Sequence, residues 1–324
     1  MVQSQLRLFS LAGALGQTVT AALGVQLAAH EIRNFEDGEY KVRPLENVDG
    51  HDVFLLECLH GQQDASVHDR LCRLLMFVGA LKDAGAARVT VVAPYLCYAR
   101  KDRRTKLSDP LSLRYLGQMF EAVGTDVMMV LDVHNPAAFE NAFRCRTVTL
   151  TAAGLFAAAI KPAQDERLCV VSPDPGGVKR AELFRERLET SCGVSVAKGF
   201  VDKRRSSGVL SGETFVGDAD GATVLILDDL ISTGHTMVRA AQAARKAGAR
   251  RVLAVASHGL FTQQSLTVLA DPAIDRLLIT DSVPLASLDT ALGRKTEILS
   301  CAGLVAGAIR CLHERSSLAE YLAL

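Results

Sequence analysis

TVLILDDLISTGHTMVRAA, residues 223 to 241, begins as an apolar run that stops at Asp228 and Asp229. Ser232, Thr233 and Thr236 then bring hydroxyls around Gly234, and helical spacing resumes at Met237, Val238, Ala241 and Ala244. The pattern predicts a buried strand over 223–228, a short polar loop and a helix. In open α/β sheets, ligands bind at the carboxyl ends of strands, which is where this loop falls. Hydroxyls there can donate hydrogen bonds, the glycine lets the backbone come close, and the free N–H groups of a helix start favour an anion. Those features describe a cradle for one phosphate. Two aspartates would repel the same phosphate, so they should face another part of the ligand, either vicinal sugar hydroxyls or a magnesium ion held on them. A sugar phosphate meets both demands. The residues alone also fit a plain helix cap beside solvated aspartates. A P-loop is excluded because G-x-x-x-x-G-K is absent.

Outward from this stretch, short β-rich runs alternate with helical ones. Strands are predicted over 53–57, 88–93, 126–133, 168–172, 223–228, 251–256 and 276–280, and helices over 69–84, 111–123, 177–190 and 236–247. The alternation predicts an α/β fold of mostly parallel sheets flanked by helices. ALKDAGAARVTVVA at 80–93 and AARKAGARRVLAVA at 243–256 match almost position for position, as helix end, Ala-Gly turn and strand. The echo predicts two similar domains, 1–147 and 148–324. Carried back, it sets VHDRLCR (67–73) where ISTGHTM (231–237) stands, so the first copy has no phosphate loop of its own.

Length supports two domains of ~150 residues each. The 36 Lys and Arg balance 36 Asp and Glu, which leaves no global field to hold a nucleic acid. Any phosphate chemistry must therefore be local. Eight cysteines occur without a C-x-x-C pair, the usage of a reducing compartment rather than of a disulfide framework or zinc ribbon. No run reaches the ~18 apolar residues of a membrane helix, and the apolar N-terminus lacks the basic cluster of a signal peptide. The expectation is a soluble, cytoplasmic protein that uses neither membrane nor nucleic acid.

The strand followed by DDLISTGHT resembles the ribose-phosphate signature of the phosphoribosyltransferase superfamily. Five other segments, NFEDGEYKVR (34–43), YLCYARKDRR (95–104), DVHNP (132–136), VSPDPGGVKRA (171–181) and VDKRRSSG (201–208), stand in the order found in the ribose-phosphate pyrophosphokinase family. The resemblance spans nearly the whole chain. It implies two phosphoribosyltransferase-like domains, ATP-binding segments in the first, and ribose 5-phosphate with a catalytic loop in the second. The implied reaction is attack of the anomeric hydroxyl of ribose 5-phosphate on the β-phosphorus of ATP, with AMP leaving. Such a transfer depends on positioning and charge neutralisation rather than a covalent intermediate.

By the resemblance, Asp37, Gly38 and Glu39 hold adenine across a subunit contact, and Arg100 and Lys101 contact the nucleotide. His134 and Asp174 bind the Mg2+ that bridges the ATP phosphates. Lys203 and Arg205 close over the transferring group from a loop. Asp228, Asp229, Ser232, Thr233, Gly234, His235 and Thr236 hold ribose 5-phosphate. A homo-oligomer built from dimers, up to a hexamer, is implied as well. The chain departs from the family at Ser232, where an aspartate is usual, at Gly234-His235, at Lys101 in place of glutamine, and in AAFENAF after DVHNP. Two other functions remain open at this level. One is a phosphoribosyltransferase that consumes phosphoribosyl pyrophosphate, and the other is a non-catalytic regulatory relative.

Overall fold

The computed structural model describes residues 5–62, 65–206, 209–285 and 291–322, with the side chains of 203–213 and of 291 outside that description. The chain divides into two compact units. The first comprises 1–151, 282–284 and 302–324, and the second comprises 152–281 and 285–301.

The first unit runs β1 (Leu6–Ser10), α1 (Ala14–Leu23), β2 (His30–Asn34), β3 (Tyr40–Pro44), β4 (Asp52–Leu56), α2 (Val67–Asp83), β5 (Arg88–Ala93), α3 (Ser112–Ala122), β6 (Val127–Leu131), α4 (Pro136–Ala142) and β7 (Arg146–Leu150). Its five-stranded sheet is parallel throughout, in the order β1-β4-β5-β6-β7, and β2 and β3 form a separate hairpin. Every residue of β4 and β6 is buried, as expected for central strands covered on both faces. Val53 and Leu55 pack with Leu74, Phe77 and Val78 of α2, Leu116 and Phe120 of α3, and Phe139 of α4.

The second unit runs α5 (Ala153–Ala159), β8 (Leu168–Ser172), α6 (Val178–Cys192), β9 (Val196–Ser206), β10 (Val209–Gly217), β11 (Thr223–Ile231), α7 (His235–Lys246), β12 (Arg251–Gly259), α8 (Gln263–Val268), β13 (Arg276–Thr280), α9 (Ala291–Lys295) and β14 (Thr296–Leu299). Its seven-stranded sheet has the order β10-β9-β8-β11-β12-β13-β14, with only β10 antiparallel among the described strands. The final helix, α10 (Ala302–Glu314), belongs to the first unit, where it packs against α1 and β7. A buried Asp52 fastens it, bonding His313 Nδ1 at 2.8 Å and Arg88 Nε at 2.7 Å.

The internal echo is a repeated set of hydrogen bonds. Gly85 ends α2 at φ 89° and Gly248 ends α7 at φ 91°, conformations that L side chains rarely adopt. A Cβ on Gly85 would stand 2.4 Å from Asp49 Oδ1, and one on Gly248 would stand 2.4 Å from Asp220 Oδ1. Gly85 O accepts from Gly50 N at 2.9 Å, and Gly248 O accepts from Gly221 N at the same distance. Val89 N donates to Asp126 Oδ2, and Val252 N donates to Asp275 Oδ2. Aligned this way, Leu56 opposite Val92 corresponds to Leu227 opposite Val255, so Glu57 corresponds to Asp228.

The two units diverge beyond that point. In the second, a loop follows the strand. In the first, residues 57–66 separate β4 from α2, which closes its own start with a capping box, Ser66 Oγ accepting from Asp69 N while Asp69 Oδ2 accepts from Ser66 N. Glu57 is buried and accepts from Arg70 Nη1 at 3.2 Å and from Cys58 N at 2.8 Å.

Burial outweighs the nearby Arg70 and pushes the Glu57 carboxyl up to about 7. Its proton is thus held more tightly in the folded state, so this group favours folding below its unfolded value of about 4.3 and loses that advantage as pH rises through 7. We expect the wild type to lose at most about 3 kcal/mol relative to Glu57→Gln between pH 4.5 and 8. Urea unfolding of both proteins across that range measures the difference, and parallel pH profiles would contradict the assignment.

Candidate functional site

In the second unit the strand order reverses between β8 and β11. The chain moves outward from β8 to β9 and β10, then returns to β11 and continues to the other side. Such a switch point opens a crevice at the carboxyl ends of the two strands. Here β8 pairs with β11 only from Thr223 to Ile226, while β12 supports β11 as far as Ile231. The last residues of β11 therefore project past β8. Asp228 and Asp229 lie within this strand, whereas the sequence pattern ends the strand at Asp228; continued pairing to β12 accounts for the extension. Asp229 is buried and Asp228 is partly exposed.

Ser232, Thr233 and Gly234 form the turn into α7, and His235 and Thr236 are its first residues. Gly234 stands at φ 84° and caps α7 without a side-chain bond. The first turn of a helix has N–H groups without intrahelical partners, directed at whatever lies before it. Across the switch point, Asp174 Oδ1 accepts from Gly176 N at 2.9 Å and caps the 3-10 turn Pro175–Gly177 that leads into α6. Arg180 of α6 then reaches back, placing Nη1 3.2 Å from Asp228 Oδ1 and 3.0 Å from Asp229 Oδ1. Burial, together with the Asp229 charge, holds the Asp228 carboxyl well above its ordinary range, and Arg180 opposes that shift. Arg180 lies inside the 171–181 segment but carried no role in the sequence pattern. Its signal is a cation one helical turn after a glycine-rich turn.

Lys203 and Arg205 are in strand rather than loop. Their backbone lies in β9, with Lys203 opposite Glu213 and Arg205 opposite Leu210 of β10, and their side chains lie outside the described residues. The backbones of Val196–Ser206 and Val209–Gly217 pair antiparallel where a polar composition reads as loop.

In the first unit, Asp37, Gly38 and Glu39 form the turn between β2 and β3, held by Glu39 N donating to Asp37 Oδ1 at 3.0 Å. Helix α2 serves two segments. Arg73 lies over the ring of Tyr40 at 5.1 Å, and His68 Nδ1 is 2.7 Å from Tyr98 Oη. Tyr98 has φ 58° and Asp132 has φ 38°, so non-glycine residues in sparsely populated backbone regions stand beside Arg100 and His134. His134 is exposed at the end of β6, and its neighbour Asn135 caps α4 while donating to Asp102 Oδ2 at 2.6 Å. Arg100 is exposed.

Lys101 is already engaged. Its Nζ lies 2.5 Å from Asp109 Oδ2, which also accepts from Thr105 N, Thr105 Oγ1 and Lys106 N. These bonds hold Asp109 well below the usual carboxylate range and cinch the 101–109 loop. The extra cation at Lys101 is thus matched by an acid eight residues on.

Among the described residues no three His, Cys, Asp or Glu side chains converge as a metal cage. A single carboxylate such as Asp174 suits a hard cation that keeps waters and phosphate oxygens in its shell. No helix among them is long and apolar enough to cross a membrane.

Comparison with known proteins shows the family of the chain. Residues 6–124 match the model of the N-terminal domain of ribose phosphate pyrophosphokinase, and residues 210–323 match the phosphoribosyl synthetase-associated domain. A ribose-phosphate pyrophosphokinase of Chromobacterium violaceum is 34% identical over 305 residues, 94% of this chain and 90% of that protein. Ribose-phosphate pyrophosphokinase 1 of Streptococcus pyogenes is 34% identical over 322 residues, 98% of each chain. The crystal structure of phosphoribosylpyrophosphate synthetase from Mycobacterium smegmatis superposes with a TM-score of 0.86 at 30% identity, covering 97% of this chain and all of that one. With such relatives along almost its full length, the chain belongs to the ribose-phosphate pyrophosphokinase family.

Proposed function

We propose that this chain transfers the β,γ-diphosphoryl group of ATP to the 1-hydroxyl of ribose 5-phosphate, giving 5-phosphoribosyl 1-pyrophosphate and AMP. The observation that carries this function is the end of β11, where a partly exposed carboxylate and a glycine-capped helix start stand side by side. Asp228 accepts hydrogen bonds from sugar hydroxyls, and the residues from Ser232 to Thr236 hold the 5-phosphate. Asp37, Gly38 and Glu39 hold adenine, and Arg100 meets the nucleotide beside Lys101. Asp174 and His134 are the proposed protein ligands of Mg2+. When bound, the ion supplies charge neutralisation to the ATP phosphates. Lys203 and Arg205 stabilise charge on the transferring group. The working form is a cytoplasmic homo-oligomer built from dimers, up to a hexamer.

Phosphorus NMR of the purified protein with ATP, magnesium and ribose 5-phosphate tests the reaction. AMP and phosphoribosyl pyrophosphate should appear together in equal amounts. ATP that stays intact in the presence of folded, oligomeric protein would overturn the proposal.

A further inference from the structure

We infer that Arg180 is the positioning residue that lets an acid pair and a phosphate cradle share one loop, with Asp229 as its anchor and Asp228 as the carboxylate left to meet the sugar. This rests on the sugar-phosphate reading of the site and deepens it.

Three observations converge. Neighbouring residues of a strand send their side chains to opposite faces, yet Asp228 and Asp229 both reach the same guanidinium nitrogen, at 3.2 and 3.0 Å. Their exposures differ, since the Asp229 side chain is 3% exposed and that of Asp228 is 25% exposed. A ligand arriving at the crevice can therefore reach Asp228, while Asp229 serves the interior. Arg180 itself projects from α6, the helix that begins at the turn capped by Asp174. One side chain thus fixes the end of β11 against the start of α6 and joins the two loops of the switch point.

The charge arithmetic follows from the same contacts. Negative charge on the acid pair, a few residues before the phosphate cradle, would oppose an arriving phosphate. Arg180 offsets one unit of it, and its Nη1 holds an oxygen of each carboxylate in place. Asp228 can then remain a hydrogen-bond acceptor without the pair excluding the anion that binds beside it.

The test uses the full-length oligomer, after AMP formation by the wild type has been shown. A failure of the proposed reaction would therefore appear in the wild type, and a failure of this inference only in the variants. Arg180→Met should raise KM for ribose 5-phosphate about tenfold or more, with a much smaller change in KM for ATP. Arg180→Lys, which keeps the charge on a flexible ammonium and loses the fixed plane of the guanidinium, should fall between the two. Adding Asp229→Asn to Arg180→Met removes the surplus negative charge and should recover part of the ribose 5-phosphate affinity, a rescue that a merely structural role would not give. Thermal melts of each variant confirm folding. Equal rises in both KM values, an unchanged KM for ribose 5-phosphate, or absence of rescue in a folded double variant would overturn the assignment.

Discussion

Lys203→Ala should lower kcat by about 10²–10³-fold while leaving the dissociation constant for ATP nearly unchanged. In a diphosphoryl transfer, negative charge redistributes over the bridging and equatorial oxygens as the bond to AMP breaks. A cation aimed at that charge acts mostly in the transition state, so its removal appears in turnover rather than in ground-state binding. The backbone of Lys203 lies in the β9–β10 hairpin, opposite Glu213, at the side of the sheet that ends beside β8. Steady-state kinetics combined with equilibrium ATP binding decide the matter. A variant that binds ATP much more weakly but turns over normally once saturated would assign Lys203 to the ground state.

Gly234→Val should be the most damaging single change in the cradle. Position 234 stands at φ 84°, which a β-branched residue adopts only as an outlier. A Cβ there would also lie 2.7 Å from Leu269 Cγ and 2.8 Å from Leu269 Cδ2, inside a buried side chain that has little freedom to retreat. Backbone strain and overpacking together should cost about 2–4 kcal/mol of stability. The helix start of α7 would turn away, and KM for ribose 5-phosphate should rise more than that for ATP. Leu269→Ala in the same chain relieves the contact but not the dihedral, so it should restore part of the stability and little of the affinity. Thermal unfolding and kinetics of the single and double variants separate the two causes, and a Gly234→Val protein with wild-type KM values would remove the loop from the site.

The parallel strands were legible because buried central strands are continuous apolar runs. Strands β5, β8 and β13 fall on the predicted residues, and α2, α3, α6 and α7 lie within three residues of theirs. What escaped was the amphipathic and antiparallel material: the hairpin of β2 and β3, the edge pair β9 and β10, and β7 with its alternating RTVTL. Composition reads such segments as loop because half their side chains face outward. Contacts between distant residues were invisible for a different reason. Nothing local announces that α10 returns to the first unit, or that Arg180 meets aspartates 48 and 49 positions further on. The 228–236 segment was legible as chemistry because strand end, carboxylates, hydroxyls and glycine lie consecutively. The pairing of Lys101 with Asp109 could have been anticipated from an acid eight residues downstream in a short polar loop, since an isolated lysine so close to a carboxylate seldom stays unpaired.

The buried pair of Glu57 and Arg70 also has a historical meaning. At the position where the second unit presents Asp228, the first holds a carboxylate closed off by the Arg70 guanidinium, which projects from α2. To reopen that place, a lineage would have to lose one partner before the other. Loss of Arg70 lets the Glu57 carboxyl keep its proton, but loss of Glu57 leaves the Arg70 guanidinium buried without that carboxylate, at about 3–5 kcal/mol. Most domains have stability only a few times larger than that. The exchange therefore works as a ratchet: with Arg70 in place, the carboxyl at position 57 is not easily given up.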